Sequence, residues 1–168
     1  MTDGQQGSSV MRILGGAGVA RRVVLLGGAA GLVVAGGQPP PPVVDLAITI
    51  GPAINPGIDG RPLPVAVRIY LLTAAGKFEG ADVFALIERE QATLGTELIA
   101  REELTFTPGS TRQVTREADS RTRFLGAAVL FRDIDRARWK AIAPVASTGT
   151  TRLRLNADRL DATLTQAG

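Results

Sequence analysis

Two eight-residue stretches, VVDLAITI and VAVRIYLL, change polarity with a period of two. In the first, Leu46, Ile48 and Ile50 alternate with Asp45, Ala47 and Thr49. In the second, Val65, Val67, Ile69 and Leu71 alternate with Ala66, Arg68 and Tyr70. Successive side chains of a strand point to opposite faces, so each stretch predicts a strand with one face in a core. A helix would scatter those residues around its axis.

The segment that joins them, GPAINPGIDGRPLP, holds four prolines and three glycines in 14 residues, Gly51 to Pro64. Such a segment is neither strand nor helix. It is long for a hairpin connection, which is usually about two to five residues. Ile54 and Ile58 stand among its turn residues. They either tuck onto the edge of the sandwich or serve as apolar anchors of a stiffened recognition loop.

Further strands follow. EELTFTPG places Leu104 and Phe106 on one face and ends at Pro108-Gly109; RQVTRE is polar and edge-like. TRFLGAAVLFRDI is apolar on both faces, which predicts a central strand covered on both sides. WKAIAPV and TTRLRLNA are two more short strands. The helical candidate is GADVFALIEREQATLG, Gly80 to Gly95, with Asp82 as cap. Val83, Leu86 and Ile87 form its apolar face, and Phe84 packs beside them. At least six strands and one helix imply a two-sheet β-sandwich.

Before the first strand the composition differs. Arg21-Arg22 precede an uncharged run, VVLLGGAAGLVVAGG, ending at Gly37. Basic residues, an apolar run and small residues at its exit make a secretory signal, cut near Ala35. The run is shorter than the roughly 20 residues that span a bilayer. Residues 1–37 are therefore expected to be signal-like, 38–44 a proline-rich spacer, and 45–168 the folded domain.

Charge and residue usage exclude several functions. The net charge is +3, but residues 38–168 hold 16 basic and 15 acidic residues. A nucleic-acid binder concentrates basic charge on its fold, and this fold is nearly neutral. The chain has no cysteine and no histidine. That removes disulfides, zinc sites built from these residues, and Ser-His-Asp or Cys-His catalysis. Asp133 and Asp135 would share a face if extended and could, with Arg132, do acid/base work or bind calcium; a polar turn is the simpler expectation, because two carboxylates are too few for most calcium sites. Glu102 and Glu103 point to opposite faces of a strand. Arg116, Arg121 and Arg123 flank a turn on a solvated face.

Four elements in order carry a family resemblance between Asp45 and Val145. They are Asn55-Pro56 and Arg61-Pro62 before VRIYL; Phe78 and Asp82-Val83-Phe84 before Leu86; Pro108-Gly109; and Phe131-Arg132-Asp133 before Trp139. In this order and spacing they resemble TssJ (SciN/VasD), the outer-membrane lipoprotein family of type VI secretion systems. The resemblance implies a transthyretin-like two-sheet sandwich with one or two short helical insertions. It implies a scaffold without catalysis, cofactor or metal, in the bacterial envelope.

In that family the loop between the first two strands contacts the periplasmic C-terminal domain of the inner-membrane protein TssM. Here the loop is Pro52 to Pro62, with Ile54, Asn55, Pro56, Gly57, Ile58, Asp59 and Arg61 expected at the contact. Ile54 and Ile58 would form its centre and the charges its rim. The cysteine that the family acylates is matched by Gly37, whose side chain cannot carry lipid. The protein would face the periplasm from the outer membrane if lipidated, and otherwise be periplasmic. The alternative is a transthyretin-like module that carries a small ligand in a deep apolar pocket.

Overall fold

The computed structural model describes residues 40–168, so the signal-like segment and Gly37 lie outside the described residues. Eight strands make two four-stranded sheets. They are β1 (Val43–Ile50), β2 (Val65–Leu72), β3 (Leu98–Phe106), β4 (Thr111–Glu117), β5 (Phe124–Leu130), β6 (Lys140–Pro144), β7 (Thr150–Asp158) and β8 (Asp161–Gln166). The first sheet has the order β4-β1-β7-β8 and the second β3-β2-β5-β6. All neighbours are antiparallel except β1 and β7, which run parallel. This is the two-sheet sandwich that the strand pattern predicts, in the transthyretin-like form that the resemblance implies.

The two period-two stretches meet as expected. Leu46, Ile48 and Ile50 of β1 face Val67 and Ile69 of β2 within one buried cluster between the sheets. The polar RQVTRE strand is β4, an edge. Glu102 and Glu103 do diverge: Glu102 forms an ion pair with Arg116 of β4, and Glu103 receives Arg68 Nε at 2.5 Å. Inward-reaching charge at an open edge discourages pairing with another chain. The first strand begins at Val43, and Pro42 is already buried, its carbonyl accepting from Ala118 N at 2.8 Å. The sandwich thus reaches into the segment expected to be spacer.

The expected helix over 80–95 is instead two short ones, α2 (Val83–Glu88) and α3 (Glu90–Leu94), and a further helix not expected from the sequence, α1 (Gly76–Gly80), precedes them. Asp82 caps α2 as predicted, accepting from Ala85 N at 2.8 Å. The run breaks at Arg89, whose φ of −129° is not helical. Side chains support the carbonyls at the break: one replaces the bond that a longer helix would make, and one adds to the bond that Ala85 O accepts from Arg89 N at 3.2 Å. Arg68 Nη1 donates to Leu86 O at 3.0 Å, and Thr93 Oγ1 donates to Ala85 O at 3.1 Å.

This helical insert covers the outer face of the second sheet. Tyr70, Leu72, Phe78, Leu86 and Leu94 form a second buried cluster there. A sheet covered on both faces explains why β5 is apolar throughout, since both faces must exclude water. Lys140 of β6 fastens the insert. Its Nζ donates to the carbonyls of Phe78 (3.1 Å), Glu79 (2.6 Å) and Ala81 (2.6 Å) at the C-terminal end of α1. Burial pushes the Lys140 ammonium below its ordinary value, while Glu79 and Asp82 pull it back up.

Candidate functional site: the loop between the first two strands

Gly51 opens the loop because no other residue fits. A Cβ there would lie 2.3 Å from the Asp158 carboxyl carbon. Asp158 uses that closeness to accept from Ala53 N at 3.1 Å. Gly51 N also donates to Ala157 O at 2.7 Å, so the loop leaves β1 strapped to the end of β7.

The two isoleucines then part. Ile54 is fully buried in the core between the sheets. Ile58 is 93% exposed. Ile54 is therefore an anchor of the loop, the first of the two alternatives that the sequence allowed, and not the surface contact that the resemblance implied.

Asn55 is likewise buried and holds the loop rather than facing a partner. Its backbone is left-handed, with φ 48°, a region asparagine visits more readily than most residues. Its main-chain N–H donates to Arg159 O at 2.8 Å. Its side chain completes two more bonds. Nδ2 donates to Pro64 O at 2.8 Å, and Oδ1 accepts from Arg132 N at 2.7 Å. One residue thus fastens the β7–β8 turn, the far end of its own loop, and the segment after β5.

Beyond this clamp the chain forms a small hairpin. Pro56 and Pro62 make an antiparallel bridge, and Gly57 N donates to Arg61 O at 2.8 Å. Gly60, at φ 77°, permits the turn. Asp59 Oδ1 accepts from Arg61 N at 3.1 Å, and their side chains pair at 3.5 Å in solvent. Pro56, Gly57, Asp59 and Arg61 are hence brought together around the Ile58 tip. Beside it a groove of about 420 Å³ runs past Leu63 to Arg132.

The other sequence candidates are arranged differently. Asp133 and Asp135 do not share an extended face, because Ile134–Arg136 forms a 3-10 turn. Asp133 pairs instead with Arg136, which holds its carboxyl below the usual carboxylate range. A carboxylate so held is a poor proton acceptor near neutral pH. The space between the sheets, where a carrier would hold its ligand, is filled by aliphatic side chains together with Phe106 and Phe131.

Phe84 corrects another expectation. It does not pack into the core beside Leu86; it is 60% exposed, and Ile87 is 39% exposed. A six-residue helix can bury only one face, and Ala85 and Leu86 occupy it. The helical line did not report this, since Ile87 lies on it with Leu86 and is exposed, whereas Ala85 lies off it and is buried.

Fold and loop define a class: a transthyretin-like sandwich that presents a braced apolar hairpin at one end. Residues 42–160 match the family model T6SS-SciN, described as type VI secretion lipoprotein, VasD, EvfM, TssJ, VC_A0113. The chain belongs to this family, and it is a component of the type VI secretion apparatus of the cell envelope.

Solved structures agree. The T6SS lipoprotein TssJ1 from Pseudomonas aeruginosa is 32% identical, with a TM-score of 0.74 over 77% of this chain and 98% of that one. A chain of a type VI membrane complex is 26% identical, with a TM-score of 0.62 over 78% of this chain and 100% of that one. Serratia marcescens Lip, a membrane-bound component of the same type of system, shares the fold at 18% identity, with a TM-score of 0.64 over 77% of this chain and 97% of that one. No curated protein matches the chain.

Proposed function

We propose that the protein is a non-catalytic scaffold of the type VI membrane complex, and that its β1–β2 loop docks onto the periplasmic C-terminal domain of a TssM-like inner-membrane protein. The observation that carries this reading is Ile58. A large aliphatic side chain, almost wholly exposed, sits on a hairpin tip braced from three directions. Bracing lowers the ordering cost on binding, and an exposed aliphatic group gains most by being covered.

A further likeness supports the partner. A chain in the structure named T6SS protein TssM C-terminal domain (869-1107) from EAEC is 26% identical to this one, with a TM-score of 0.59. Three quarters of the present chain covers 98% of it. That chain is therefore far shorter than the TssM span, which fits a companion of the domain.

Ile58→Asp is expected to weaken binding to the TssM-like periplasmic domain about a hundredfold, by placing a charge at the centre of the contact. Isothermal titration calorimetry reads the affinity, and unchanged affinity removes the loop from the interface. At the N-terminus, we propose export followed by cleavage near Ala35, with no lipid on Gly37. Mass spectrometry of the mature chain from periplasmic extracts is expected to show an unacylated N-terminus near that point. An acylated one overturns the proposal.

A further inference from the structure

We propose that the docking surface continues from the loop across Arg132 onto the outer face of α2. There it takes a partner segment with a carboxylate flanked by large apolar side chains. This rests on the loop reading above and extends it.

Four large apolar side chains remain exposed on the described domain: Ile58, Leu63, Phe84 and Ile87. Single exposed apolar groups are ordinary on any protein surface. These four are not scattered. Ile58 and Leu63 line one groove, Phe84 and Ile87 line a second of about 270 Å³, and Arg132 forms a wall of both. Two elements distant in sequence thus contribute to one strip. A contiguous apolar strip bordered by polar residues marks a place where another molecule sits.

Arg132 gives the strip its chemistry. Its main-chain N–H is fixed on Asn55, so its place in the strip is set by the same clamp that holds the loop. Its side chain is exposed and makes no ion pair or hydrogen bond among the described residues. The acids nearest it in the chain and in the groove are already engaged, Asp133 with Arg136 and Asp59 with Arg61. Covering this guanidinium without a counter-charge would be costly. A carboxylate would offset that cost with two parallel hydrogen bonds matched to the planar fork.

A free small anion fits less well, because it would leave all four apolar groups in water. Arginine and aromatic side chains are the residues enriched at protein interfaces, and arginine is prominent among those that dominate binding energy. The occupant we assign is therefore a segment of the TssM-like periplasmic domain.

The test uses the full-length chain in detergent and the TssM-like periplasmic domain, with affinity read by biolayer interferometry at low and high salt. Phe84→Ala and Arg132→Gln are each expected to weaken binding about tenfold, with circular dichroism unchanged. Arg132→Gln should also flatten the salt dependence, whereas Arg132→Lys keeps it.

Ile58→Asp is measured alongside. If it weakens binding while Phe84→Ala and Arg132→Gln stay within about twofold, the strip is overturned and the loop reading survives. If Ile58→Asp has no effect, the loop reading falls and the proposed continuity falls with it. Two other occupants are checked directly. Self-association abolished by Phe84→Ala would assign the strip to a second copy of this chain. Binding to phosphatidylglycerol vesicles abolished by Phe84→Ala would assign it to a membrane. Either result overturns the proposal.

Discussion

Replacing Asn55 with alanine lowers the stability of the domain by about 3 kcal/mol, read as a lower denaturant midpoint at unchanged slope. The loss has two parts. Arg132 N and Pro64 O lose their partner at a part-buried site, and each unmade bond there costs about 1 kcal/mol or more. Alanine also has no side-chain hydrogen bond to compensate a left-handed backbone, which adds about 1 kcal/mol. Asn55→Gly separates the parts, because it relieves the backbone and leaves the bonds unmade. An Asn55→Ala midpoint equal to that of the unaltered protein would show that the three segments hold without the clamp.

Phe78→Ala is expected to cost about 4 kcal/mol, because a fully buried aromatic leaves a cavity that its rigid surroundings fill poorly. The ring packs on Tyr70 with centroids 5.3 Å apart, and Lys140 Nζ lies 5.9 Å from its centre. On its other side lies Gly126 of β5, where a Cβ would stand 2.8 Å from the ring. Gly126→Ala should therefore cost about 2 kcal/mol through overpacking. The two changes should not add. In the Phe78→Ala background the new methyl group enters empty space, so urea unfolding of the double variant should show Gly126→Ala to be nearly free of cost. Additive losses would mean that Gly126 is required for some other reason.

Much of the fold was legible because the forces that set it are local and periodic. The alternation in β1 and β2 needed only one buried face to make sense. The unbroken apolar run of β5 correctly announced a strand covered twice. The helical insert was legible in kind but not in its breaks. The break after α2 is bridged by Arg68, which reaches from β2 to a carbonyl of α2. No pattern within residues 80–95 could report a donor that arrives from elsewhere.

The candidate site divides in the same way. Prolines and glycines marked the loop. They could not say which isoleucine faces outward, since an irregular segment has no period to read. That is decided by the left-handed turn at Asn55 and by bonds to Arg159 and Arg132, far along the chain. The meeting of Ile58 with Phe84 through Arg132 was similarly invisible, because it exists only once the sheet end is closed.

The parallel pairing of β1 with β7 has a consequence for how the molecule comes to be. Every strand of the second sheet lies between Val65 and Pro144, so that layer can assemble from one continuous stretch. The first sheet cannot, because β1 finds β4 early but must wait for its second partner, which begins at Thr150. The hairpin tip waits longer still, since its brace at Asn55 closes on Arg159. A chain interrupted before its last hairpin would keep most of one layer yet lack one of the three ties at Asn55. The fold thereby carries a mark of completion: only a finished molecule closes all three ties at the base of the hairpin.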